Sequence, residues 1–349
     1  MNEAMREKPL IGITMGDPAG IGPEIIVKGH RSIGDRTRTV VIGDAAVIRA
    51  AVEICGLDLD VRSIDSPEDA TNDTTVIDVY DPSDVDLDDI ERGVVDERYG
   101  RASLAYVEAA IDLAVTDRID AITTAPINKQ STRLAGSEHA GHTGLLADRT
   151  GVDNYSMMLI EEPLRVTHVS THVSLEEACA LVVEPNVLET ISVTDRALRK
   201  LGIDEPTVAV AGLNPHAGDG GLFGTADDEE IAPAVERARE EGIDATGPEP
   251  PDTVYAQAAD GAYDCVVSMY HDQGHIPIKM LGFVGNEAIS GVNVTIGLPI
   301  VRTSVDHGTA FDIAGEGVAS ETSLVEAIDT AARMSRTRRG TDSHRRSQR

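Results

Sequence analysis

Short apolar runs alternate with amphipathic stretches along most of the chain. Pro9–Met15, Thr39–Ile42, Ile119–Thr124, Thr207–Ala211 and Cys265–Met269 are runs of four to seven mainly apolar residues, the length of buried strands. Val61–Ile64, Thr75–Val79, Tyr155–Ile160, Leu164–Val169, Val292–Ile296 and Ile300–Ser304 read as further strands, and the pair at 155–169 is close enough to form a hairpin. Helices are expected from Ile25, over Ala45–Cys55, and around Leu104, Val107, Ile111 and Val115, which recur at spacings of 3, 4 and 4. Others are expected from a Ser174 cap through Cys179, over Asn186–Leu201, Asp227–Glu241 and Glu321–Arg333. Alternating strands and helices predict an α/β protein with a largely parallel sheet. The expected organisation is one catalytic unit, 1–335, made of two lobes with a cleft between them. One lobe comes from both terminal parts and one from the middle. Residues 336–349 are expected to form a basic, disordered tail.

Composition narrows the class. Hydrophobic residues make up 41% of the 349, enough for a packed core. The formal net charge of −30 resembles that of proteins from high-salt cytoplasm and opposes nucleic-acid binding over the main body. The exception is Arg333–Arg349, with seven arginines and one acid, Asp342. No apolar run approaches the roughly 20 residues of a membrane span, and Met1–Lys8 has no apolar signal core, so a cytoplasmic location is expected. Cys55, Cys179 and Cys265 are far apart in apolar patterns and read as buried thiols.

The chemistry gathers where strands end. Tyr270–Lys279, YHDQGHIPIK, follows a buried strand and carries an imidazole, a carboxylate and a lysine together. A lone histidine at a strand end is commonly a satisfied polar group. Three in equivalent loop contexts, His172, His216 and His271, suit a divalent cation with open positions for substrate, and Asp272 and Asp252 suit fixing their rings. Gly141-His142-Thr143-Gly144 offers groups for phosphate or carboxylate, or simply caps a helix. Lys129 and Lys279 follow Pro-containing turns in a lysine-poor chain. Asn293 and Arg302 are polar groups inside apolar strands, and a buried guanidinium calls for an anion. Gly20-Ile21-Gly22 falls short of the full G-x-G-x-x-G dinucleotide fingerprint. The polar, Gly-containing Thr303–Gly315 could line a nucleotide pocket of another kind.

These motifs occur in one order: MGDPAGIGPE (15–24), TAPINK (124–129), GHT (141–143), THVSL (171–175), GLNPHAG (212–218), YHDQGHIPIK (270–279) and VNVTIGLPIVRTSVDHGTAFDIAG (292–315). Together they resemble the 4-hydroxythreonine-4-phosphate dehydrogenase family, including the related 4-phospho-D-threonate and 4-phospho-D-erythronate dehydrogenases. The resemblance implies a two-domain fold similar to isocitrate and isopropylmalate dehydrogenases, which binds NAD without a Rossmann domain. It implies a homodimer with the active site at the interface. It places a divalent cation (Zn, Mg, Co or Mn) on His172, His216 and His271, and substrate on His142, Thr143, Lys279, Asn293 and Arg302. NAD, with NADP as the alternative, would lie against Ser304, Asp306, His307, Gly308, Thr309 and Asp312. Asp272, Lys129 and Asp252 are the catalytic candidates, with Asp272 or Lys129 as the base.

The implied reaction is metal-dependent oxidation of 4-hydroxythreonine 4-phosphate to a β-keto acid that decarboxylates, as in pyridoxal phosphate biosynthesis. The sugar-acid phosphates, with a hydroxyl in place of the amino group at C2, are the alternative substrates. A metal-dependent phosphatase and a non-catalytic binding protein are the competing classes. Two departures from the family pattern stand out: Gly144 follows GHT where an acid is usual, and residues 280–291 make a longer segment than in the vitamin B6 enzyme.

Overall fold

The computed structural model describes residues 8–34, 37–87, 89–138, 142–152, 154–283 and 291–347. The chain divides into two units, residues 1–153 with 298–349, and residues 154–297.

Unit 1 contains a parallel sheet. Its strands are β1 (Leu10–Thr14), β2 (Arg38–Ile42), β3 (Asp60–Ser63), β4 (Val76–Tyr80), β5 (Ala121–Thr124) and β12 (Val301–Val305), in the order β3-β4-β2-β1-β5-β12. Every ladder among them is parallel. Central strands covered on both faces must be apolar throughout, which is why β1 reads LIGIT and is buried at each position. The helices are α1 (Gly22–Ile33), α2 (Ala45–Ile54), α3 (Glu97–Val115), α4 (Lys129–Leu134), α5 (His142–Thr150) and α11 (Thr322–Ser347). Asp44, Asp96 and Asn128 cap α2, α3 and α4 through side-chain oxygens that accept backbone N–H groups.

The buried face of α3 is not the predicted stripe. Val107 and Ile111 are buried, but Val115 is half exposed at 51%, and the face also takes in Tyr99, Ser103, Tyr106, Ala110 and Ala114. Small residues decide this. A Cβ on Gly100 would lie 2.0 Å from Ser131 O, so only glycine lets α4 approach this closely. The core joins Ile13, Met15, Ile25, Ile42, Ile48, Tyr106 and Ile111, and each such burial contributes roughly 1.5–3 kcal/mol.

Unit 2 holds β6 (Ser156–Glu161), β7 (Leu164–His168), β8 (Thr207–Ala211), β9 (Asp244–Glu249), β10 (Cys265–Ser268) and β11 (Val292–Ile296), in the order β11-β6-β7-β10-β8-β9. The hairpin expected at 155–169 is present, with β6 and β7 antiparallel, and β11 is antiparallel to β6. The remaining ladders are parallel. The helices are α6 (Leu175–Leu181), capped by Ser174 as predicted, α7 (Glu184–Lys200), α8 (Ala232–Glu240), α9 (Val254–Ala259) and α10 (His271–Phe283). A π-helical turn, Asp227–Ile231, precedes α8. Its core includes Leu159, Val166, Ala209, Val266 and Ile278.

Several expectations are corrected. Strand β9 and helix α9 are not expected from the sequence, because their polar and proline-flanked stretches lack a clean period. Residues 271–283 form a helix, not a loop, although Pro277 lies inside it. The arginine-rich stretch expected to be a disordered tail continues α11 as far as Ser347. Local bonds carry it outward: Arg336 Nε donates to Ala332 O at 3.2 Å and Arg338 Nη2 to Asp117 Oδ1 at 3.0 Å. Of the three thiols only Cys265 is buried; Cys55 is half-buried and Cys179 exposed, because α6 turns Ala178 inward. No helix among the described residues is long and apolar enough to cross a membrane.

Candidate active site

In unit 1, three motifs that are distant in sequence are tied together. Asp17 N donates to Pro126 O at 2.9 Å, joining the first glycine turn to the TAPINK turn. Ile21 N donates to Thr309 O at 3.0 Å, joining the same turn to the candidate nucleotide segment. Arg302 is 3% exposed on β12 and its Nη2 donates to Thr124 Oγ1 at 2.7 Å. Burial pulls this guanidinium down to about 10. A charged fork of this shape suits a phosphate or carboxylate. Lys129 is exposed at the start of α4. His142 and Thr143 open α5, but their side chains lie outside the described residues.

Within the candidate nucleotide segment Ser304 is buried, Asp306, His307 and Thr309 are half-buried, and Gly308 and Asp312 are exposed. Nothing lies within 4 Å of where a Cβ on Gly308 would sit. Asp306 and Asp312 lie two residues before and four residues after this bare backbone.

In unit 2, helix α10 brings His271 near His172, with ring centroids 5.8 Å apart. His271 Nδ1 lies 2.7 Å from Asp272 Oδ1, which leaves Nε2 to point outward. His216 Nδ1 lies 3.8 Å from Asp252 Oδ2, so the second predicted carboxylate also faces a predicted histidine. His216 sits in a left-handed stretch (φ +55° at His216, +52° at Ala217), a conformation that costs energy outside glycine and concentrates at functional sites. The donor types suit a divalent cation. The full triad is not assembled: among the described residues no group of three His, Cys, Asp or Glu could hold a metal ion within the chain. The backbone turn aims His216 at Asp252 and Phe223, the latter with a centroid distance of 6.5 Å. Asn293 Nδ2 contacts Met157 Sδ at 2.9 Å, and its Oδ1 is buried with no hydrogen-bond partner. Lys279 is half-buried on α10. Residues 284–290 of the longer segment lie outside the described residues.

The structure adds groups that the sequence reading did not single out. Asp227, fully buried, accepts from Leu213 N at 2.8 Å and Asn214 Nδ2 at 2.7 Å, fixing the turn that carries His216. Gln273 accepts from Met269 N and donates to Gly212 O at 2.7 Å, which seats α10 beside that turn. Gln273 was visible as part of the HDQGH motif, whereas nothing in the sequence marks Asp227. Behind His271 the His275 ring stacks at 3.6 Å, and His168 lies 4.7 Å from His275. Burial first, then the neighbouring imidazoles, push His168 down to about 3. Gly274 is required here, since a Cβ would come within 2.5 Å of His168 Nε2.

Comparison with known proteins shows the family. Residues 35–331 match the family described as "Pyridoxal phosphate biosynthetic protein PdxA". The chain is 46% identical to a D-threonate 4-phosphate dehydrogenase of Cupriavidus necator over 329 residues, 93% of this chain and 97% of that protein. It is also 46% identical to a 4-hydroxythreonine-4-phosphate dehydrogenase of Desulforapulum autotrophicum over 328 residues, 93% and 95% of the two chains. The crystal structure of 4-hydroxythreonine-4-phosphate dehydrogenase from Klebsiella pneumoniae superposes with a TM-score of 0.84 at 43% identity, covering 94% of this chain and all of that one. The chain belongs to the PdxA family and is an oxidoreductase, a dehydrogenase of the 4-hydroxythreonine-4-phosphate and D-threonate 4-phosphate group.

Proposed function

We propose that the protein oxidises 4-hydroxythreonine 4-phosphate with NAD and a divalent cation, giving a β-keto acid that loses CO2, as a step toward pyridoxal phosphate. The observation that carries this reading is His271, oriented by Asp272 at 2.7 Å and facing His172 across 5.8 Å. With His216 they form the proposed ligand set. A cation bound there supplies charge withdrawal from the substrate hydroxyl, and NAD supplies the hydride acceptor. The chain's own groups bind and orient. Arg302, Lys279, His142 and Thr143 hold phosphate and carboxylate, and Asn293 directs its free Oδ1 at a substrate donor. Asp272 is engaged with the His271 ring, which leaves Lys129 as the proposed proton acceptor.

Ser304, Asp306, His307, Gly308, Thr309 and Asp312 are the proposed dinucleotide contacts, in a fold of the isocitrate-dehydrogenase kind that needs no G-x-G-x-x-G turn. The enzyme is proposed to work as a homodimer whose interface completes the metal site. Exposed apolar side chains follow each metal histidine in sequence: Val173 and Leu175 after His172, Leu222 and Phe223 after His216, Ile276 and Met280 after His271. These exposed apolar side chains support the proposed interface.

A second reading is favoured by the relatives named for D-threonate 4-phosphate: the substrate would carry a hydroxyl at C2. A panel of 4-phosphorylated acids, followed by NADH absorbance with and without EDTA, decides. NADH formation that EDTA abolishes supports the proposal, and the better acid names the substrate. NADH formation indifferent to EDTA removes the metal. Phosphate release without NADH points to a phosphatase, and no turnover of any acid to a binding protein.

A further inference from the structure

Helix α1 presents an acid and a lysine one turn apart, and both reach the same stretch of backbone. Glu24 is fully buried. Its Oε1 accepts from Gly315 N at 2.6 Å and its Oε2 from Gly317 N at 2.8 Å. Lys28 Nζ donates to Gly317 O at 3.4 Å and to Ala319 O, and lies 3.7 Å from Glu321 Oε2. The carboxylate takes the N–H groups and the ammonium takes the carbonyls. Gly315 and Gly317 have φ of +94° and +69°, which suits them to glycine alone. Upstream, Ile21 N holds Thr309 O at 3.0 Å, and a Cβ on Gly20 would meet Thr309 Cβ at 3.0 Å. The candidate nucleotide segment is thus gripped at its middle and just past its end.

A plain surface loop gains little from this. Burying a carboxylate is costly, and apolar packing would stabilise a loop as well. A buried charge that satisfies two specific amides fixes position instead. We infer that Glu24 and Lys28 are a clamp that sets the position of residues 304–312 for the dinucleotide, so that Glu24 is a positioning residue for NAD and not for the phosphorylated acid. This rests on the assignment of NAD to that segment under the proposed function.

The test compares wild type, Glu24→Gln and Lys28→Met by NADH fluorescence titration, by KM for each substrate, and by hydrogen exchange over 313–319. An amide in place of the carboxylate keeps one acceptor and turns a donor toward an N–H. NADH affinity should fall, and KM for NAD rise, roughly tenfold or more in Glu24→Gln, with faster exchange at Gly315 and Gly317. The KM for the phosphorylated acid and kcat should stay within about twofold. Lys28→Met should weaken NADH roughly threefold. A folded Glu24→Gln that binds NADH as tightly as wild type overturns the clamp, and so does a loss shared equally by both substrates. If Glu24→Gln does not fold, Lys28→Met decides alone, and unchanged NADH affinity in it is equally fatal. Wild type that binds no NADH would remove the NAD assignment and the clamp together; wild type that binds while both variants match it removes only the clamp.

Discussion

In unit 1 three polar groups, Glu24, Arg302 and Asp17, are buried and bonded inside the chain. Glu24 meets two backbone amides, Arg302 meets Thr124, and Asp17 accepts from Ala19 N at 2.9 Å. In unit 2 His216 and Asp272 face solvent. The His216 side chain is 64% exposed and that of Asp272 is 71% exposed. In the first set only Glu24 has both oxygens met by partners in the fold, whereas Asp17 Oδ2 and Arg302 Nε are buried without one. In the second set the side chains keep their water until something displaces it. These bonded polar groups sit in one unit, while among the described residues of the other no group of three His, Cys, Asp or Glu could hold a metal ion. Substitutions at the exposed imidazoles should therefore cost chemistry and little stability.

The sharpest break of this contrast is His271→Ala. Its ring is partly exposed and packs chiefly on another imidazole, so the melting temperature should hardly move. Bound metal and turnover should nevertheless vanish, with activity down about a thousandfold or more. Metal analysis alongside a thermal melt checks both halves, and a large stability loss would erase the distinction between the units.

Arg302→Met comes next. Removing a buried guanidinium in favour of an apolar side chain of similar length should leave stability unchanged or slightly higher. It should lower kcat/KM for the phosphorylated acid roughly a hundredfold. Unaltered kinetics would show that this arginine serves the fold and not the substrate.

Asp17 gives the smallest effect and tests unit 1 alone. Burial holds its carboxyl up at about 6, against an ordinary value of 3.8, and its Oδ2 has no hydrogen-bond partner. A folded-state value raised above the unfolded one means that the folded protein binds the extra proton. The stability this gives is fully present below pH 3.8 and is lost as pH rises through about 6. Asp17→Asn should keep that stability at neutral pH, by up to about 3 kcal/mol, while matching wild type in acid. Urea melts of the two proteins at pH 4 and pH 7.5 would reveal it, and parallel pH profiles would sink the idea.

Much of this architecture could be read from local pattern. The runs at Leu10–Thr14, Thr207–Ala211 and Cys265–Ser268 are apolar because strands covered on both faces must be, and that alternation predicts a mainly parallel sheet. Ser174 announces its own helix by chemistry that spans three residues. The segment at 271–283 misled for a physical reason: Gly274 and Pro277 are both poor helix formers. Tertiary contacts override them, since only glycine fits against His168 and Gln273 bonds the neighbouring turn.

By itself, the order of residues determined which side chains could do chemistry here and which strands would end beside them. Residue types and local periods are short-range properties, and they survive in one dimension. What the sequence could not hold is any bond across a large separation, because nothing local requires it. The union of Glu24 with Gly315 and Gly317, almost the length of the chain away, exists only once α1 packs. The same is true of Asp227 beneath the His216 turn, and of the fact that His172 and His271 meet while His216 faces Asp252. Those pairings were decided by packing, which alone brings the distant partners near one another.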